Sequence, residues 1–322
     1  MSRAVAIAHA NIALIKYWGK ADVARNLPAV PSLSLTLDGL STRTEVEFDA
    51  KLSEDHATLD DVQLSGKPFD RIKRVLDRLR EQADSSAKAR VISHNHFPTA
   101  AGLASSASGF AALVAAASTA LGIGMNHAQQ SSLARWASAS AARSVYGGWV
   151  QLRLGAESAE ELAPRNHLDV EMLVAVTRRG PKPIGSTAAM QHTLETSPYY
   201  PAWVDAAPAV FERGKAALLA KDLSALGHAM EHSTLLMHAS MLAADPGVLY
   251  LAPASIALID CVRSLRESGV EAFFTMDAGP HVKVLTRTAD AERVVGALKS
   301  VAGVLDVLRC TPGPGVEIVE AP

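Results

Sequence analysis

The sequence predicts an α+β protein built as two unequal halves, and three observations predict it. In the first half, strand-like stretches of alternating or wholly apolar character are interspersed with segments of helical period. A stretch rich in breakers, RRGPKPIGSTAAM at Arg178–Met190, then interrupts the chain and is the best candidate boundary. In the last third the order strand, turn, strand, helix, strand is that of a split α+β sandwich of ferredoxin-like type. At 322 residues, with 48% hydrophobic and 20% charged positions, the chain can build a real core in one large or two ordinary domains.

The elements follow in order. The N-terminal apolar run is interrupted by His9 and Asn11 and ends at NIALIKYWGK. Thr42–Asp49 alternates and reads as a strand. Ile72, Val75, Leu76 and Leu79 recur at i, i+3, i+4 and i+7, so this segment is an amphipathic helix with Pro68 near its start. Ala89–Asn95 reads as a strand leading into a serine-rich loop. Helices are expected over Ser105–Leu121 and Ala128–Ala141, then a strand at Gly148–Leu154. Leu168–Thr177 is almost wholly apolar and reads as a central strand. Beyond the boundary, helices near 201–220, 222–241 and 254–268 precede EAFFTMD, HVKVLT, a helix near 288–300, VLDVLR and VEIVE.

Charge and cysteine content exclude several classes. The formal net charge is −2 and no run of five basic residues occurs, which argues against a nucleic-acid or acidic-membrane partner. The apolar stretch around Phe110–Ile123 contains glycine, serine and threonine and is too short to span a bilayer. The N-terminus lacks a charged start followed by a cleavable apolar segment. Cys261 and Cys310 have no neighbour at metal or redox spacing and read as small core residues, which favours the cytoplasm. His94 and His96 have metal-like spacing but no third ligand motif, so no metal site is assigned.

Four polar clusters stand out. PTAAGLASSASGF, between a strand and a helix, offers Thr99, Ser105, Ser106 and Ser108 where exposed amides and the helix dipole would favour an anion. No GxxxxGK[ST] or GxGxxG is present, so the loop is either a phosphate cradle of another kind or a tight turn. Lys16, Tyr17 and Lys20 can hold an anion or can be a snorkelling surface group. Ser138, Ser140 and Arg143 would share about half of a helix face, and arginine suits bidentate capture of carboxylate or phosphate. Asp277, after an apolar strand and before Ala-Gly-Pro, is either a turn former or a catalytic carboxylate.

Together NIALIKYWGK, SHNHFPTAAGLASSASGFAAL, SASAARSVYGG and TMDAGPHVKVL resemble the mevalonate diphosphate decarboxylases of the GHMP kinase superfamily. The resemblance runs from about Ala8 to Val284, with motifs in the right order, and KYWGK and DAGP set that family apart from the superfamily's ordinary kinases. It implies a two-lobed GHMP-kinase fold with an N-terminal lobe like ribosomal protein S5 domain 2 (residues 1–182), a ferredoxin-like C-terminal lobe (183–322), and an active site between them. It implies conversion of (R)-5-diphosphomevalonate and ATP to isopentenyl diphosphate, ADP, phosphate and carbon dioxide, with Mg²⁺ carried by the nucleotide.

On that resemblance, Ser93, Asn95, Gly102, Leu103, Ala104, Ser105, Ser106 and Ser108 would hold Mg·ATP. Tyr17, Lys20, Ser138, Ser140, Arg143 and Thr187 would hold the substrate's diphosphate and carboxylate. Asp277 would sit at the C3 hydroxyl, tuned by Lys16 and Arg143. Departures from the family pattern are Ala139 and Ala142 within SASAARS, His281 in DAGPH, and GST at Gly185–Thr187, where some bacterial members carry an arginine. A homodimer follows from the resemblance only. The rivals are a relative acting on 5-phosphomevalonate, a mevalonate 3-kinase that does not decarboxylate, and a non-catalytic nucleotide-binding protein. The joint presence of Lys16, Arg143 and Asp277 argues against the second, and Asp277 with the loop serines against the third.

Overall fold

The computed structural model describes residues 2–97, 105–180 and 184–321. The chain opens with β1 (Ser2–Ile15), a small hairpin of β2 (Lys20–Asp22) and β3 (Leu27–Pro28), and the long β4 (Ser32–Asp49). β5 (His56–Leu59), β6 (Val62–Gln63), α1 (Gly66–Ala83), β7 (Lys88–Asn95), α2 (Ser105–Ala120) and α3 (His127–Ala137) follow. A 3₁₀ segment at Ala139–Val145 leads to β8 (Trp149–Leu152), β9 (Glu160–Ala163) and β10 (Val170–Val176). Four helices come next: α4 (Ser186–Thr196), α5 (Tyr200–Leu219), α6 (Leu223–Leu242) and α7 (Pro253–Glu267). β11 (Ala272–Met276), β12 (Val282–Arg287), α8 (Ala291–Ser300), β13 (Asp306–Cys310) and β14 (Glu317–Glu320) close the chain.

Two sheets carry the architecture. In the first the strands run β14-β1-β4-β7-β5-β6, with β8 pairing β4 and β9 pairing β8. In the second they run β11-β12-β10-β13. The apolar β10 is therefore central, as its composition predicts. The expected division after residue 182 does not follow the sheets, because β10 pairs with β12 and β13. The change of sheet falls between Ala163 and Val170, and β14 returns to pair antiparallel with β1. Pairings this distant in sequence leave no local signal at a breaker-rich loop.

The helices are placed by their apolar faces. α1 buries Val75, Leu76 and Leu79, each contributing about 2 kcal/mol of transfer free energy. α2 buries alanines from Ala111 to Ala117, and these small side chains let its backbone lie close on β1 and β4. α7 and α8 cover the outer face of the second sheet through Leu258, Val262, Val294 and Leu298. α5 and α6 pack on each other, and residues of both join β1, β4, β10 and β12 in the central core. The ends of β1 and β11 meet at the edge of that core.

The helix expected through Ala141 stops at Ala137 instead. Ser138 is extended, at φ −157° and ψ 122°, and the following turn is 3₁₀. The alanine–serine run has the composition of a continuous helix, but its backbone turns at Ser138 to reach β8.

Candidate active site

β11 is buried along its whole length, and the chain emerges from it at Asp277. The turn after it is tightly held. Gly279 N–H donates to the Asp277 carbonyl at 2.8 Å, and Ser255 Oγ donates to the Pro280 carbonyl at 2.6 Å. Thr177 donates its N–H to His281 Nδ1 at 3.1 Å. His281, a departure from the family pattern, thus serves as an acceptor that ties this turn to the end of β10.

Asp277 has a cation on each oxygen. Lys16 Nζ donates to Oδ1 at 2.6 Å, and Lys283 Nζ lies 3.0 Å from Oδ2. Both ammonium side chains are 1% exposed, while Asp277 keeps 28% of its side chain exposed. Burial alone would raise the Asp277 pKa, but Lys16 and Lys283 together outweigh it and hold the carboxyl well below its usual range. For Lys16, burial is the largest influence; with the Lys283 and Arg143 charges it outweighs Asp277 and brings the pKa down to about 8. Lys16 is fixed from two further sides: Nζ donates to the Ala13 carbonyl at 2.7 Å, and its N–H donates to Ser233 Oγ at 2.8 Å.

Arg143 is 2% exposed, on the 3₁₀ segment. Its Nε donates to Asn11 Oδ1 at 3.2 Å and its Nη1 to Ser32 Oγ at 2.9 Å. Asn11 Nδ2 in turn donates to the Ser140 carbonyl and to Ser144 Oγ, at 3.0 and 2.7 Å. Burial pushes the Arg143 pKa down to about 10, opposed by Tyr17 and Asp277, so the guanidinium stays charged at neutral pH. Residues i and i+3 eclipse in a 3₁₀ turn, which stacks Ser140 over Arg143 more closely than an α-helix would. Ser138 and Ser140 face each other, their hydroxyl oxygens 3.2 Å apart.

The KYWGK turn is fixed by aromatic packing. Gly19 has φ +97°, and a Cβ there would lie 1.9 Å from the Tyr200 hydroxyl, so both backbone and space demand glycine. Trp203 Nε1 donates to the Trp18 carbonyl at 3.0 Å. The Tyr17 hydroxyl is buried, which pushes its pKa up, with Arg143 pulling the other way. Lys20 is half-buried; burial and the neighbouring Arg71 and Arg74 charges push its pKa down. Lys20, Arg71 and Arg74 thus form one basic cluster.

A separate cavity of about 130 Å³ is lined by Ser93, Asn95 and Ser106, with Leu59, Ile72 and Phe110 among its apolar walls. Asn95 is held by Asp60, which accepts from its backbone N–H at 2.8 Å and its Nδ2 at 3.2 Å. Ser93 Oγ lies 2.9 Å from Thr44 Oγ1. Ser106 is exposed. Ser108 differs from the expectation for a nucleotide ligand: it is fully buried, its hydroxyl 2.7 Å from Thr42 Oγ1. Helical spacing puts Ser108 on the inner face of α2 with Ala111, Ala112 and Ala115. Thr42 also donates to Asn95 Oδ1 at 2.7 Å, so Ser108 braces the cavity wall. Gly102, Leu103 and Ala104 lie outside the described residues, as does the Ser105 side chain.

Lys16, Tyr17, Arg143 and Asp277 are thus brought together, with Ser138 and Ser140 beside them. Thr187 lies exposed in the first turn of α4. Sequence reasoning missed Lys283, Asn11, Arg71 and Arg74. The available signals were a lysine inside the apolar run HVKVL, an asparagine inside the apolar β1, and two arginines one turn apart on α1.

The two sheets and the buried charges at their seam define a two-lobed α+β enzyme of the GHMP-kinase class. Residues 8–163 match a diphosphomevalonate decarboxylase-like N-terminal domain, and residues 172–311 a mevalonate 5-diphosphate decarboxylase C-terminal domain. A diphosphomevalonate decarboxylase of Aspergillus fumigatus is 36% identical over 94% of this chain and 81% of its own length. A phosphomevalonate decarboxylase of Haloferax volcanii is 31% identical over 92% of each chain. A solved structure described as MDDEF in complex with MVAPP, AMPPCP and magnesium superposes with a TM-score of 0.92 at 40% identity, covering 99% of both chains. The chain belongs to the diphosphomevalonate decarboxylase family.

Proposed function

We propose that the chain catalyses the ATP-dependent decarboxylation of (R)-5-diphosphomevalonate to isopentenyl diphosphate, with release of ADP, phosphate and carbon dioxide. The observation that supports it best is one partly open carboxylate, Asp277, set between two buried ammoniums with Arg143 close by. Three buried cations around one carboxylate leave positive charge unmatched, which is costly for the fold and suits a site that binds an anion and handles developing charge.

The roles follow from the chemistry. Mg·ATP is a co-substrate that supplies the phosphoryl group. Ser93, Asn95 and Ser106 would line the nucleotide's place, and the apolar walls of their cavity suit a nucleobase. Gly102, Leu103, Ala104 and Ser105 would complete the phosphate side. Tyr17, Lys20, Ser138 and Ser140 would hold the substrate's phosphates, with Arg71 and Arg74 adding charge beside Lys20. Arg143 would fork onto the carboxylate, and Thr187 would stand at the rim.

Asp277 would accept a hydrogen bond from the C3 hydroxyl. A carboxylate held this acidic is a weak base, so it orients the hydroxyl more than it deprotonates it. Attack on the γ-phosphorus forms the C3–O–P bond and frees ADP. The C3–O bond then breaks and phosphate leaves, taking up the hydroxyl's proton. Asp277 stabilises the positive charge left at C3, and cleavage of the bond to the carboxylate supplies the electron pair of the alkene.

The Haloferax volcanii relative is a specific reason to assay the monophosphate as well. The Lys20, Arg71 and Arg74 cluster favours the diphosphate, because one phosphate needs fewer cations. No helix of the described residues is long and apolar enough to cross a membrane. The reading carries a cytoplasmic homodimer, which light scattering on the purified protein tests. The test of function is to follow ADP and carbon dioxide together from substrate labelled at C1. Equal release from the diphosphate is expected. ADP alone would make the protein a kinase, and preference for the monophosphate would change the substrate.

A further inference from the structure

Lys283 is the buried charge for which the reaction above has no stated use. It stands on β12, paired with Val174 of β10 and Thr275 of β11, in the middle of the second sheet. Its neighbours Val282 and Val284 point to the core under α7 and α8, so alternation turns Lys283 to the opposite face, toward the seam. It is buried. Its ammonium makes an ion pair with Asp277 Oδ2 at 3.0 Å, and no other protein acceptor competes for it among the described residues. A lysine in a strand interior whose one counter-charge is shared with Lys16 is expensive, and an apolar side chain would serve the fold better.

We propose that Lys283 is a positioning residue, whose ammonium pins Oδ2 of Asp277 while Lys16 pins Oδ1 and so fixes the plane in which the carboxylate meets the C3 hydroxyl. With one oxygen held, the carboxyl could still rotate about its Cβ–Cγ bond; with both held, it cannot. The groups facing Asp277 are Lys16 from the end of β1, Lys283 from β12, Arg143 from the 3₁₀ segment and His238 from α6. His238 is 4% exposed and bonds the Met276 backbone, and its Nε2 has no partner among the described residues. Burial and Lys16 push its pKa down to about 4. It adds no third charge beside the two lysines at neutral pH.

The inference rests on the decarboxylase reading, and wild-type turnover run alongside reports on that reading by itself. Lys283→Met is expected to lower kcat about tenfold or more with KM for ATP little changed. Removing this cation raises the Asp277 pKa, so the acid limb of the kcat/KM profile moves up by about one pH unit or more. Lys283→Arg should restore both in large part. A folded Lys283→Met with native kcat and an unmoved acid limb would overturn the proposal, as would an arginine variant no better than the methionine. Should Lys283→Met fail to fold, the double variant Asp277→Asn/Lys283→Met decides without any activity. If the double folds, the lysine's service is to Asp277; if it too fails, the lysine serves the fold alone and the proposal is wrong.

Discussion

The surroundings of Asp277 and those of Ser106 are built differently. Around Asp277 the side chains are buried, ion-paired and fixed by several elements: Lys16 by Ala13 and Ser233, Arg143 by Asn11 and Ser32, and the Asp277 turn by Thr177 and Ser255. Around Ser106 the polar groups line a cavity in which Asn95 is held by Asp60 and Thr42 and Ser93 by Thr44, while Ser106 itself is exposed. The difference teaches where the binding energy goes. On the proposed function, the acid substrate would meet a site already organised for the transition state, which favours rate. The nucleotide would meet an exposed hydroxyl at Ser106, whose loss should cost less.

Substitutions can break that comparison or sharpen it. The largest effect is expected for Asp277→Asn, which should lower kcat by at least ~10³-fold in a phosphate-release assay. Arg143→Lys keeps a charge but loses the fork, so kcat/KM for the acid substrate should fall roughly 10²-fold while the apparent KM for ATP changes little. The pH profile comes next. Lys16 must stay protonated to hold Asp277, and its pKa is about 8, so kcat/KM should decline as pH rises through that region. A profile flat to pH 9.5 would separate Lys16 from the chemistry. Ser106→Ala should raise the apparent KM for ATP about three- to tenfold and leave affinity for the acid substrate alone. Thr187→Ala, at the exposed start of α4, should change either constant about twofold or less.

Much of this was legible in the sequence where the signal was local. Lys16, Tyr17 and Lys20 share one turn, Ser140 and Arg143 another, and Asp277 follows a wholly apolar strand. Short motifs carry such groups together because the backbone itself fixes their spacing. Lys283 was harder to read for the opposite reason: the apolar run HVKVL marks it as unusual, but its partner lies across a strand turn, and only the sheet's facing shows that the lysine points inward. Asn11 hides in the same way inside β1. Ser108 looked like one more hydroxyl of the loop, but the period of α2 turns it toward Thr42. The sheet membership of β10 depends on strands more than a hundred residues away, and composition cannot report it.

The most direct test asks one protein about both regions. Asp277→Asn would be titrated calorimetrically with a non-hydrolysable ATP analogue and, in the same preparation, assayed for ADP and carbon dioxide. The account predicts nucleotide affinity within about threefold of wild type and neither product above a ~10³-fold reduced rate. Substantial release of carbon dioxide by this variant would contradict the account, because the chemistry would then not depend on the carboxylate held between Lys16 and Lys283.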